Sequence, residues 1–173
     1  MNIQEFDSDE ELQFYCWLIE AQKAGLLSGI IYQPEKFELS KRVAVKYQKQ
    51  LKTKSKTVER FLFHPHSFTP DFRFTILSEI LYPYFVDTAY IGNTRVIVDV
   101  KGTFNKYGDP KQFSINQKWV MEKFGIYIEK IVPVKLFFKT WVPDACRWTP
   151  KQKKPVKKYI GVNTIEDFIN SQK

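Results

Sequence analysis

The run Arg95-Val96-Ile97-Val98-Asp99-Val100-Lys101-Gly102 sets an acid and a base two residues apart on an otherwise apolar stretch, with Pro70-Asp71-Phe72 upstream. In an extended strand side chains alternate between faces. Val96, Val98 and Val100 are therefore expected on one face, and Ile97, Asp99 and Lys101 on the other. Two residues of strand span ~6.6 Å, and neighbouring strands lie ~4.8 Å apart. If the segment carrying Asp71 pairs with the Asp99 strand, both carboxylates reach one spot beside the Lys101 ammonium. Two like charges ~4 Å apart repel by ~4 kcal/mol at an effective dielectric of about 20. Such a pair persists when one acid is protonated or a cation bridges them. Ligands that are all oxygen favour Mg²⁺, which keeps waters and binds phosphate. A lysine there orients a water or offsets charge growing on a phosphate. Neither a Ser-His-Asp nor a Cys-His set is evident.

The elements that must position these residues follow from periodicity. Asp7 to Gly25 reads as a helix with Phe14, Trp17, Leu18 and Ala21 in one stripe. Ser8 is its expected N-cap, with Glu11 three residues on. Ile30 to Leu39 reads as a strand that Pro34 assigns to an edge. Segment 40–60 gathers Lys41, Arg42, Lys46, Lys49, Lys52, Lys54, Lys56 and Arg60 against Glu59 alone. It is expected as part edge strand, part mobile basic loop. Phe61–Phe63 and Phe68–Leu77 return to strand character, with Phe72, Phe74 and Ile76 on one face. Tyr84–Ile91 and Thr94–Lys101 are expected as a hairpin across Gly92-Asn93. Gly108 and Pro110 break the pattern. Ser114 to Phe124 reads as a second helix with Phe113, Gln117, Val120, Met121 and Phe124 inward and Gly125 as its stop. Ile126–Val132 is a further strand ended by Pro133. Asn163–Ser171 is a short terminal helix whose cap Glu166 would complete.

On these residues the chain resembles the PD-(D/E)XK nucleases, in particular the small phage-type endonucleases and Holliday-junction resolvase relatives. The resemblance rests on Pro70-Asp71 and on Asp99-Val100-Lys101 followed by Gly102. Glu11, in Ser8-Asp9-Glu10-Glu11, matches the acid that family members carry on the first core helix. Gln117 and Lys118, in Asn116-Gln117-Lys118-Trp119, match a Gln or Lys on the helix after the metal strand. The resemblance implies an α/β fold with a restriction-endonuclease-like αβββαβ core, a central mixed sheet flanked by helices. It covers about residues 7–132 of one nuclease domain, and leaves a C-terminal extension of about 133–173. It implies a Mg²⁺- or Mn²⁺-dependent hydrolase of DNA phosphodiesters, acting in the cytoplasm, the host's if phage-encoded. Asp71, Asp99, Glu11 and the Val100 carbonyl would hold the metal. Lys101 would serve the water or transition state, and Gln117 and Lys118 would line the site and the DNA. The aromatic insert Ser78–Asn93 and the long basic segment depart from the minimal core and bear on substrate rather than chemistry.

Blander readings stand beside these. Glu11 can simply complete a cap with Ser8, and Gln117 one with Ser114. Asp99 and Lys101 can form an exposed pair worth under ~1 kcal/mol. His64 and His66 lack a third ligand and read as strand or turn residues. Lysine runs usually form solvated faces; here 41–60 is expected as a DNA track, while 151–158 is left open. Tyr82, Tyr84, Phe85 and Tyr90 read as packing residues, and Cys16 as a small buried one.

Composition bounds the function. The 173 residues carry a formal charge of +8, with 43% hydrophobic and 16% aromatic residues. That describes a folded basic domain whose natural partner is a polyanion. No apolar run approaches the ~20 residues of a membrane span. The acidic N-terminus is unlike a secretory or transit leader, and two cysteines are too few for a disulfide framework. Rival functions are a branched-DNA resolvase, which needs a symmetric homodimer, and a non-catalytic DNA-binding or virion-associated module. RNA stays open as a target.

Overall fold

The computed structural model describes residues 6–102, 110–149 and 151–172. In chain order its elements are α1 (Asp9–Lys23), β1 (Leu27–Tyr32), β2 (Phe37–Ser40), β3 (Val43–Gln50), β4 (Ser55–Phe63), β5 (His66–Phe68), β6 (Phe72–Ile76), β7 (Arg95–Val100), α2 (Pro110–Phe124), β8 (Ile128–Ile131), α3 (Pro133–Phe137) and α4 (Ile165–Ser171). Four strands form a mixed sheet in the order β1-β6-β7-β8. β1, β6 and β7 pair antiparallel, while β8 runs parallel to β7. The parallel step needs a crossover, and α2 supplies it. The fold is α/β with helices on a mixed central sheet.

Helix α1 forms where Ser8 caps it: the Ser8 Oγ accepts the Glu11 N–H at 3.2 Å, and Asp9, Glu10 and Glu11 sit at the positive end of the dipole. Phe14, Trp17, Leu18 and Ala21 are fully buried against the sheet face that carries Phe72, Phe74, Ile76, Val96, Val98 and Val100. Burying each large side chain contributes ~1.5–3 kcal/mol. Leu136, Phe137, Trp141, Tyr159 and Phe168 belong to the same cluster. Trp141 stacks on Trp17 at 4.6 Å, and Trp17 Nε1 donates to Thr140 Oγ1 at 3.1 Å. The C-terminal residues thus complete the core over α1. On the opposite face Phe37, Leu39, Ile97, Phe113, Val120 and Ile128 make a smaller cluster beneath α2.

Several elements differ from expectation. The strand and hairpin expected over Tyr84–Ile91 are absent; Glu79–Tyr84 is a 3₁₀ turn and Asp87–Ile91 a π-helical turn. Thr88 Oγ1 donates to the Tyr82 and Phe85 carbonyls, each at 3.1 Å. The buried Glu129 carboxylate accepts the Val86 and Asp87 N–H groups. These tertiary bonds override the β preference of the aromatic run. The expected strand over 30–39 splits at Gln33–Lys36 into β1 and β2, which join different sheets. The strand expected over 68–77 likewise divides around Pro70. The basic segment is no loop: β3 and β4 pair in register from Ala44↔Phe61 to Gln50↔Ser55.

Helix α2 begins at Pro110, a favoured first position, so Ser114 lies inside it and the Ser114–Gln117 cap does not form. Its inward residues are Phe113, Asn116 and Val120, whereas Met121 and Phe124 are each 45% exposed. The break expected at Gly108 lies outside the described residues. In α4 Thr164 and Asp167, rather than Glu166, make the capping box. Among the described residues no helix is long and apolar enough to cross a membrane.

Candidate functional site

The carboxyl ends of β1, β7 and β8, the start of β6 and the start of α1 meet at one end of the sheet. Asp71 lies one residue before β6. Its N–H donates to the Val98 carbonyl at 3.0 Å, and its carbonyl accepts the Gln33 N–H at 2.7 Å. Its side chain turns to β7, where Oδ2 accepts the Val100 N–H at 2.6 Å. Asp99 stands with Ile97 on the α2 face, as alternation requires, and is buried. Lys101 Nζ lies 2.5 Å from Asp99 Oδ2. Side-chain exposure is 3% for Asp99 and 31% for Lys101, so this is not a solvated surface pair. The contact is a close ion pair, and among the described residues Asp99 Oδ2 has no other polar partner.

Glu11 is also buried. Its Oε1 accepts from Ser8 Oγ at 2.8 Å, and its Oε2 accepts from Tyr32 Oη at 2.9 Å and the Asp7 N–H at 3.3 Å. The capping residue of the bland reading is therefore the same side chain that faces the site. Glu11 adds repulsion to both Asp71 and Asp99. Burial, then the charges of Asp99 and Glu11, push Asp71 up to about 7 despite the Val100 N–H and Lys101. Burial raises Asp99 as well, opposed mainly by Lys101. Burial and the hydrogen bond to Glu11 raise the Tyr32 phenol to about 12, so it serves as a donor at neutral pH.

Structure thus brings Asp71, Asp99, Lys101, Glu11 and the Val100 backbone together. It sets Gln117 apart: Gln117 Nε2 donates to the Ile128 carbonyl at 2.6 Å and ties α2 to β8. Lys118 is exposed on α2. Lys41 and Arg42 precede β3, Lys46 and Lys49 lie on it, Lys52 and Lys54 flank the turn, and Lys56 and Arg60 lie on β4. Of the histidines, His66 Nε2 bonds Asn116 Oδ1 at 2.8 Å, joining β5 to α2.

Three neighbours escaped the sequence reading. Lys130 pairs with Asp99 in the parallel ladder and its ammonium acts on that carboxylate. The Lys130 and Lys101 ammonium groups lie 5.7 and 6.0 Å from the centroid of the Phe113 ring. Glu10 reaches over Gly102, its Oε1 only 2.9 Å from where a Cβ there would stand. Only the parallel pairing of β8 places Lys130 here, and nothing local in the sequence encodes that.

The donor set suits a hard cation. Asp71 and Asp99 supply carboxylate oxygens, one of them paired only with the Lys101 ammonium among the described residues, beside the buried Glu11. Mg²⁺ is commonly held by one or two carboxylates with waters and substrate phosphates. Among the described residues no group of three His, Cys, Asp or Glu side chains is arranged to hold a metal. No family model matches this chain, and no curated protein or solved structure matches it.

Proposed function

We propose that the protein is a metal-dependent endonuclease that hydrolyses DNA phosphodiesters. The observation that carries this reading is a buried Asp99 on β7 beside a half-buried Asp71 at the start of β6, with the partly exposed Lys101 ammonium 2.5 Å from Asp99. The chain order α1, β1, β6, β7, α2, β8 supports a restriction-endonuclease-like αβββαβ core, with β2–β5 inserted between its first two strands. The charge of +8 supports a polyanionic substrate.

Asp71 and Asp99 would hold Mg²⁺ or Mn²⁺, with the Val100 carbonyl as the further ligand that the resemblance implies. When bound, the ion supplies Lewis acidity toward a phosphoryl oxygen and a water. The Val100 N–H fixes the Asp71 carboxylate. Lys101, partly exposed, directs its ammonium toward an incoming water or phosphate oxygen and offsets the negative charge that develops. Glu11, anchored by Tyr32 and Ser8, adds negative potential that favours a cation. Asp99→Ala and Lys101→Ala are each expected to lower Mg²⁺-dependent DNA cleavage by about 10²–10³. Undiminished cleavage in either variant refutes the assignment.

A second reading is a DNA-binding module without catalysis. It is favoured by Lys101 already standing as the cation of Asp99. Calorimetric titration with Mn²⁺ separates the two: no heat and no cleavage favour the module.

A further inference from the structure

The β3–β4 ribbon has two chemically different faces. Residues directly opposed across an antiparallel pair share a face. Val45↔Arg60, Tyr47↔Val58 and Lys49↔Lys56 therefore form one face, and Lys46↔Glu59, Gln48↔Thr57 and Gln50↔Ser55 the other. The second face is closed on itself. Gln48 Nε2 donates to Thr57 Oγ1 at 2.8 Å, Ser55 Oγ donates to Gln50 Oε1 at 2.5 Å, and Arg42 pairs with Glu59 at 3.3 Å. Glu59 is the only acid within 43–63, and it belongs to that face.

The first face carries Lys49, Lys56 and Arg60 with no acid, around Val45, Val58 and Tyr47, which is 45% exposed. Lys49 and Lys56 are set directly opposite each other. Like charges so placed are destabilising. A folded ribbon that keeps this repulsion on one open face is built for an anion. Apart from half-buried Val43, Ala44 and Val58, the ribbon's residues are exposed, so both faces stand clear of the body.

We propose that the ribbon is an arm that lays its Tyr47–Lys49–Lys56–Arg60 face into the major groove of duplex DNA. A two-stranded ribbon fits the ~12 Å major groove of B-form DNA, whereas the deep, narrow groove of duplex RNA excludes it. Arg60 lies four positions beyond Lys56 on β4, ~13.6 Å along the strand, so the cations address separate phosphates. This rests on the DNA-directed reading above and names the surface and the form of the substrate.

The test is binding of a fluorescein-labelled duplex DNA by the full chain in EDTA, read by anisotropy over a salt series. The triple variant K49Q/K56Q/R60Q is compared with K23Q/K36Q/K139Q, which removes equal charge from exposed positions outside the ribbon. The face variant is expected to lose at least about tenfold in affinity and to flatten the log–log salt slope by roughly 2–3; the control is expected to lose under about threefold. Equal losses in both, or none in the face variant, overturn the proposal. So does a single-stranded DNA or duplex RNA that binds the wild type as tightly as duplex DNA. Lys56→Gln alone guards against misfolding: its Tm is expected to hold or rise while the salt slope falls by about 1. A fall in its Tm, or an unchanged slope, counts against the proposal. Metal-free binding separates the two readings. Face-dependent binding without cleavage leaves this inference standing and removes the nuclease; cleavage with face-independent binding does the reverse.

Discussion

At the scale of single residues, charge at the end of the sheet is distributed by burial. Asp99 is opposed by Lys101 on its own strand and by Lys130 from β8. If the two ammonium groups share the task of offsetting charge near that carboxylate, Lys130→Met is expected to lower Mg²⁺-dependent cleavage by about tenfold. The same change at exposed Lys139 should alter it far less; equal rates for wild type and Lys130→Met would sever β8 from the site. A second acid pair lies away from it. Asp87 and Glu129 are both buried, and burial followed by the Glu129 charge raises Asp87 to about 6. An acid raised in the folded state binds more protons there than when unfolded, so stability falls as pH climbs from about 4 to about 6. The cost is complete above that window and absent below it. Asp87→Asn is therefore expected to stabilise the protein by on the order of 1–2 kcal/mol at pH 7.5, allowing for partial solvent screening. At pH 4 it should gain almost nothing. Thermal melts at both values check this; an equal gain at each would place the origin in packing instead.

At the scale of elements, the C-terminal residues act as the outer wall of α1. Phe168 of α4 is 1% exposed and lies 5.2 Å from the Trp141 ring, which stacks on Trp17. Phe168→Ala should cost about 3 kcal/mol, read from the denaturant midpoint. A cost under about 1 kcal/mol would mean α4 merely rests on the surface. How much of this was legible from sequence depends on the element. α1 was, because its stripe, its Ser8 cap and its acidic first turn agree, and the same holds for the alternation along Arg95–Val100. Local signals failed where a distant group takes over the backbone. The run Tyr84–Ile91 has strand composition, yet Glu129, more than forty positions away, captures its N–H groups and coils it. In α2 the chain starts the helix at Pro110, so a plausible Ser114 cap became an interior residue and the inward face moved to Asn116. For the candidate site, alternation alone set Asp99 and Lys101 together. Asp71 joins them because β6 pairs with β7, a contact only inferable through strand order. Gln117 was drawn to the site by the resemblance, which expects a Gln or Lys on the helix after the metal strand, but the Ile128 carbonyl claims it.

At the scale of the whole molecule, the body and the ribbon are separable by construction. The chain leaves the body at the end of β2 and returns at the start of β5, and those two strands pair with each other, Ser40 opposite His66. The ends of the excursion are thus held together without the ribbon, and shortening a loop between fixed ends changes closure entropy by only about 0.6 kcal/mol per halving. Most of what lies between is exposed, so its removal uncovers little apolar surface. Replacing residues 42–64 by a short Gly-containing turn should then leave β2–β5, the smaller core cluster and the aspartate pair in place. The expected Tm lies within a few degrees of wild type, since a loss of about 1 kcal/mol moves a domain of this size by ~2–4 °C. If the ribbon supplies the grip on DNA, the same deletion should weaken duplex binding by more than the three-residue face variant, because Lys46, Lys52 and Lys54 leave with it. Mn²⁺ binding, measured by calorimetry, should be retained because both aspartates remain. A deletion that melts far below wild type would show that the ribbon braces the fold. A deletion that still binds duplex DNA as tightly would move the grip to the 151–158 run or to α2.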